Sequence, residues 1–110
     1  MKINVETAGH IKIFHLTGRL EAATTDVLKE ALHKEIKADT KQFVFDLAEV
    51  VFIDSSGLGA LVASLRSVNK DGGDIRLAAL SPEVQTIFEL TRLHRLFEIF
   101  DSSQLAVESF

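Results

Sequence analysis

Between Ile11 and Leu16 the chain alternates, but without a polar face: Ile11, Ile13 and His15 interleave with Lys12, Phe14 and Leu16, and both sets are largely apolar. A strand covered on two sides gives this pattern. Ile3 to Glu6 reads as a shorter strand before it. From Thr24 the period changes, with Val27, Leu28, Ala31, Leu32 and Ile36 at helical spacing, Thr24 as N-cap and Asp26 in the first turn. This predicts a helix to about Lys37. Asp39-Thr40 breaks the pattern, and Phe43, Val44 and Phe45 form a β-favouring run ending at Asp46.

Val50 to Ile53 is a further apolar run, followed by Asp54-Ser55-Ser56-Gly57-Leu58-Gly59. Beyond it Leu58, Leu61, Val62, Leu65 and Val68 share a helical face until Lys70-Asp71-Gly72-Gly73 stops the helix. Ile75, Leu77 and Ala79 suit another strand. Ser81-Pro82-Glu83 supplies a cap, a first-turn proline and a favourable charge for the helix of Val84, Ile87, Phe88 and Leu90. Phe97 to Phe100 reads as a last short strand, and Ser102 or Ser103 as the cap of a final helix carrying Leu105 and Ala106. The alternation predicts an α/β sandwich of about four to five strands and about four helices, its sheet partly parallel and made mixed by the paired opening strands.

A chain of 110 residues, 46% hydrophobic and 25% charged, suits one domain over 1–110 with a single compact core, and lies far from the composition of disorder. The absence of cysteine removes disulfides, thiolate metal sites and cysteine nucleophiles. The opening Met1-Lys2-Ile3-Asn4-Val5-Glu6 lacks an apolar stretch of signal-peptide length, and no run approaches a membrane span. A cytoplasmic location without membrane association is the expectation. With a formal charge of -4 and scattered basic residues, nucleic acid is not an expected partner either.

The chemically informative place is the hand-over from Val50–Ile53 to the next helix. Free N–H groups and the positive end of the helix dipole gather there, and they stabilise an exposed negative group by roughly 0.3–1 kcal/mol. If Asp54 is the cap, both serine hydroxyls are free; if Ser55 is the cap, its own hydroxyl is engaged. Ser56 keeps its hydroxyl in both cases. Gly57 costs helix stability, about 1 kcal/mol against alanine, but clears space for another protein's active site to approach. The structural alternative is that Asp54 and Ser55 only cap, while Gly57, Ala60 and Ser64 are small so that the helix lies close to the sheet.

Enzymatic machinery is not expected. Position 54 is Asp, so Ser56 is not in a G-x-S-x-G elbow, and no Gly-x-x-x-x-Gly-Lys loop is present. His10, His15, His33 and His94 lack metal-ligand spacing, and Asp46 lacks the acidic pair that a phosphoaspartate receiver carries after its first strand. Neither a metal nor a cofactor is implied. Lys34, Lys37 and Lys41, like Arg92 and Arg95, read as solvated positions.

Phe43-Val44-Phe45-Asp46-Leu47 followed by Ile53-Asp54-Ser55-Ser56-Gly57-Leu58-Gly59 resembles the STAS domain, specifically the stand-alone anti-sigma factor antagonists. The resemblance extends through Leu16-Thr17-Gly18-Arg19-Leu20, Gly72-Gly73, and Leu93, Leu96, Phe97 and Ile99. It implies the STAS fold and a partner-switching role. Ser56 would be phosphorylated by an anti-sigma factor that is also a serine kinase, and a type 2C-like phosphatase would reverse the change. The unphosphorylated form would bind the anti-sigma factor and release the sigma factor, as a monomer or weak homodimer. The family's docking surfaces carry over onto Gly18, Arg19, Leu20, Glu21, Asp54, Ser55, Ser56, Gly57, Leu58 and Gly59. Glu21 departs from the aspartate common in the family, which bears on partner choice. A STAS module acting without phosphorylation, as a scaffold in a transporter, lipid-trafficking or signalling complex, is the alternative.

Overall fold

A computed structural model describes residues 1–110. The elements run β1 (Lys2–Ala8), β2 (Ile11–Leu20), α1 (Thr25–Lys37), β3 (Gln42–Ile53), α2 (Ser55–Lys70), β4 (Asp74–Ala78), α3 (Pro82–Leu90), a 3-10 turn (Leu93–Arg95), β5 (Ile99–Phe100) and α4 (Ser103–Glu108). The sheet order is β1-β2-β3-β4-β5, with β1 antiparallel to β2 and every other pair parallel. This is the mixed α/β arrangement the hydrophobic pattern predicts.

Both faces of the sheet are covered, unequally. On one, Phe14, Leu16, Phe43, Phe45, Leu47, Ile75 and Leu77 meet Leu28 and Leu32 of α1, Leu61, Leu65 and Val68 of α2, and Val84 and Phe88 of α3. On the other, Ile11, Ile13, Val44 and Ala78 lie beneath Ala106 of α4. The expected single core is thus a large layer plus a small one, because the two-sided apolar pattern of the central strands needs cover on both faces. Phe14 stacks on Phe45 at 5.2 Å and meets Phe43 edge-on at 5.6 Å.

Several local expectations are revised. β1 is longer than Ile3–Glu6. β3 does not end at Asp46 but continues to Ile53, because the chain bulges instead of breaking. Between His15 and Thr17 of β2 their partners advance from Asp46 to Glu49, and between Gly18 and Arg19 from Val50 to Phe52, so β3 carries an extra residue at each place. Asp46 supports the first bulge by accepting the Ala48 N–H at 3.0 Å. β4 stops at Ala78, since Ala79 turns to φ 61. Leu90 is exposed and not a core residue.

Thr24 stands at the N-cap of α1 but makes no cap hydrogen bond. Its hydroxyl instead donates to the Arg19 carbonyl at 2.7 Å and accepts the Glu21 N–H at 3.0 Å, pinning the β2–α1 loop. The other caps act as anticipated: Ser81 accepts from Val84 N–H at 3.2 Å, and Ser102, not Ser103, caps α4 through Leu105 N–H at 3.2 Å. At the end of α2, Gly73 lies so near the Lys41 carbonyl that a Cβ there would come within 2.0 Å.

Candidate functional site

The parallel strands β2 and β3 end side by side, where Leu20 pairs with Ile53. Their following segments, Gly18–Glu21 and Asp54–Gly59, are therefore neighbours at the carboxyl edge of the sheet, the usual place for binding surfaces in such folds. Asp54 joins them. Its backbone N–H donates to the Leu20 carbonyl at 3.3 Å, one carboxylate oxygen accepts Gly57 N–H at 2.8 Å, and the other accepts Ala22 N–H at 3.4 Å. The carboxylate that caps α2 thus also holds the β2–α1 loop.

Asp54 is the cap, so the first of the two capping alternatives is the one adopted, and neither serine hydroxyl is consumed. Ser55 and Ser56 are both exposed. The first turn of α2 contains no acidic residue beyond the cap, so an added anion there meets the positive helix end with the Asp54 carboxylate, already engaged by the Gly57 N–H, as its one like-charged neighbour in the cap and first turn.

Of the two reasons open for Gly57, close packing and access, the structure favours packing. Gly57 is buried, and a Cβ on it would lie 2.1 Å from the Leu20 carbonyl oxygen, so its smallness lets α2 sit against the end of β2 rather than giving access to a visitor. Ala60 and Ser64 face α1, across a groove they share with Leu28 and Leu32. Ser64 is buried with its hydroxyl donating to the Ala60 carbonyl at 2.8 Å. Gly59 is exposed, with open space where a methyl group would stand.

The ten residues singled out in the sequence therefore divide by role. Leu20 and Gly57 are buried and form the floor; Gly18, Glu21, Asp54 and Leu58 are half-buried; Arg19, Ser55, Ser56 and Gly59 are exposed. The Glu21 carboxylate is engaged, accepting from Arg19 Nε at 2.7 Å. None of the three principal concavities is lined by Ser55 or Ser56, so the serines stand on an open surface.

Two features here escape a reading of the sequence. The bulges of β3 aim Val50 and Ile53 into the core and leave Val51 and Phe52 outside, 75% and 38% exposed. Four apolar residues in a row give no hint of this, because the period of two fails where extra residues enter. The second is a polar cluster: His15 lies between Glu6, 2.8 Å from Nε2, and Asp46, 3.5 Å from Nδ1. It occupies the sheet face that α4 partly covers.

The chain is similar to the anti-sigma F factor antagonist of Paenibacillus polymyxa, with 26% identity over 105 residues covering 93% of this chain and 90% of the relative. A candidate anti-sigma factor antagonist from Thermotoga maritima has the same fold, with a TM-score of 0.91 and 24% identity over 97% of this chain and 92% of that one. The Bacillus protein SpoIIAA, solved in unphosphorylated and phosphorylated forms, shares it too, with a TM-score of 0.76 for each. Identities to these two forms are 16% and 17%, over 98% of this chain and 96% and 98% of theirs. The family model described as STAS domain matches residues 2–106. From its opening strand to its last helix, the chain belongs to the STAS domain family.

Proposed function

We propose that the chain is an anti-sigma factor antagonist that works by partner switching. Unphosphorylated, it binds an anti-sigma factor with serine kinase activity and so frees a sigma factor. Phosphorylation of Ser56 ends that binding, and a type 2C-like phosphatase restores it. The observation that carries this reading is the exposed, uncommitted Ser56 hydroxyl on the first turn of a helix capped by Asp54. Phosphate adds about -1.5 to -2 charges at one point of the surface, which the helix end accommodates while an interface formed around a neutral hydroxyl does not.

The same-fold SpoIIAA is named an anti-sigma factor antagonist and occurs in a phosphorylated form, which supports the reading. The geometry treats Ser55 and Ser56 alike as exposed hydroxyls, so the choice of Ser56 rests on its place in the family segment. Incubation with an anti-sigma factor kinase and ATP, followed by mass spectrometry, tests it. One phosphate on Ser56, absent in Ser56→Ala, is expected; modification at Ser55 alone, or at neither serine, contradicts the assignment.

A further inference from the structure

Beside the serine segment, three side chains build a surface of their own. The Arg19 guanidinium lies over the Phe52 ring, its Cζ 4.1 Å from the ring centroid, on paired residues of β2 and β3. Its Nε is committed to Glu21 at 2.7 Å, while its terminal nitrogens have no partner. Val51, next to Phe52 in β3, is the more exposed of the two large apolar residues there. The bulge between Gly18 and Arg19 is what brings Phe52 opposite Arg19.

We propose that Val51, Phe52 and Arg19 form the recognition platform by which the chain selects its anti-sigma partner, with Glu21 as the residue that positions Arg19. The inference rests on the function proposed above and adds where binding energy and selectivity come from. The platform adjoins the serine segment through the strand ends: Leu20, next to Arg19, pairs with Ile53, next to Phe52, and accepts the Asp54 N–H at 3.3 Å. Aromatic residues and arginine dominate interface hot spots, and a side chain fixed before binding loses less freedom when the partner arrives. Glu21 and Phe52 together fix Arg19 in that way. The partner face that fits has an apolar side chain seated on Val51 and Phe52, flanked by a carboxylate for the free terminal nitrogens of Arg19.

Glu21 thereby acts through Arg19 instead of touching the partner. The longer side chain of glutamate is what reaches the Arg19 Nε. Glu21→Asp would withdraw the acceptor, release the guanidinium from the ring and shift partner preference.

The test measures affinity of the full chain for its anti-sigma factor kinase by calorimetry, with thermal melts confirming that each variant is folded. Val51→Lys and Phe52→Ser are each expected to weaken binding about tenfold or more, equivalent to about 1.4 kcal/mol or more, as hot-spot residues do. Arg19→Lys keeps the charge but loses the Nε donor to Glu21 and the guanidinium fork, and should also weaken binding. For the positioning role, Glu21→Ala should move the Arg19 Nε–H resonance and lower affinity, whereas Glu21→Gln, which keeps an acceptor, should recover part of both. Binding of Val51→Lys and Phe52→Ser within twofold of wild type, alongside loss of binding by Ser56→Asp, overturns the platform and leaves the switch intact. Failure of wild type to bind any anti-sigma factor kinase overturns the function proposed above and the platform with it.

Discussion

At the scale of single residues, two glycines in one helical turn of sequence have opposite meanings. Gly57 is required by contact: a methyl there meets the backbone oxygen of Leu20, and backbone cannot step aside as a flexible side chain can. Gly59 faces open space and carries only the entropic cost of glycine in a helix. Gly57→Ala should therefore destabilise the chain by about 1–3 kcal/mol, the range for overpacking, while Gly59→Ala should stabilise it by up to about 1 kcal/mol. Urea denaturation of the two variants checks the pair; equal effects would contradict this packing. Asp54→Ala should cost about 0.5–2 kcal/mol through loss of the cap. It should also loosen the Ala22 loop, seen as faster amide exchange at Ala22. The sequence places Asp54 and Ser55 at a helix start but does not choose between them, because either side chain satisfies the same donors.

At the scale of elements, what the sequence reveals and what it hides follow from whether local periods are kept. α1, α2 and α3 keep the helical period and are legible nearly to their ends, with Ser81 and Pro82 marking α3 and Gly72-Gly73 closing α2. β3 is not legible as one strand. Its two added residues change the inward set from Phe43, Phe45 and Leu47 to Val50 and Ile53, a step of three that period-two reasoning divides into separate runs. The same irregularity places Val51 and Phe52 outside, so the hidden part of the site has the same origin as the divided strand. α4 is legible through its cap, but its clasp is not. Arg76 bonds Ser109 Oγ at 2.6 Å and Glu98 at 3.0 Å and lies 4.1 Å over the Phe110 ring, contacts between residues remote in sequence. Arg76→Ala should speed hydrogen exchange at the α4 amides while leaving the β2–β3 ladder protected. Uniform acceleration across the sheet would show that α4 and the sheet open together.

At the scale of the whole molecule, the proposed role makes the chain a substrate and a ligand. The helix layer, the small α4 layer and the parallel strands hold the carboxyl ends of β2 and β3 in register, and Asp54 ties their loops into one surface. Ser56 stands on that surface with its hydroxyl unspent. A phosphate on it should act on binding without refolding, because an anion at an exposed helix start contributes only about 0.3–1 kcal/mol to stability. The phosphorylated chain is accordingly expected to retain its circular dichroism spectrum and to melt cooperatively, with a thermal midpoint no lower than that of the unmodified chain by more than a few degrees. A changed far-ultraviolet spectrum or loss of the cooperative melt on phosphorylation would show refolding instead.

The most direct test of the switch is calorimetric titration of an anti-sigma factor kinase with the unmodified chain, Ser56→Ala and the chain phosphorylated on Ser56. Binding by the first two with similar affinity, and weakening by about a hundredfold or more for the third, is the result expected for a charge forced into a desolvated interface. Equal affinity of all three forms would contradict partner switching at Ser56.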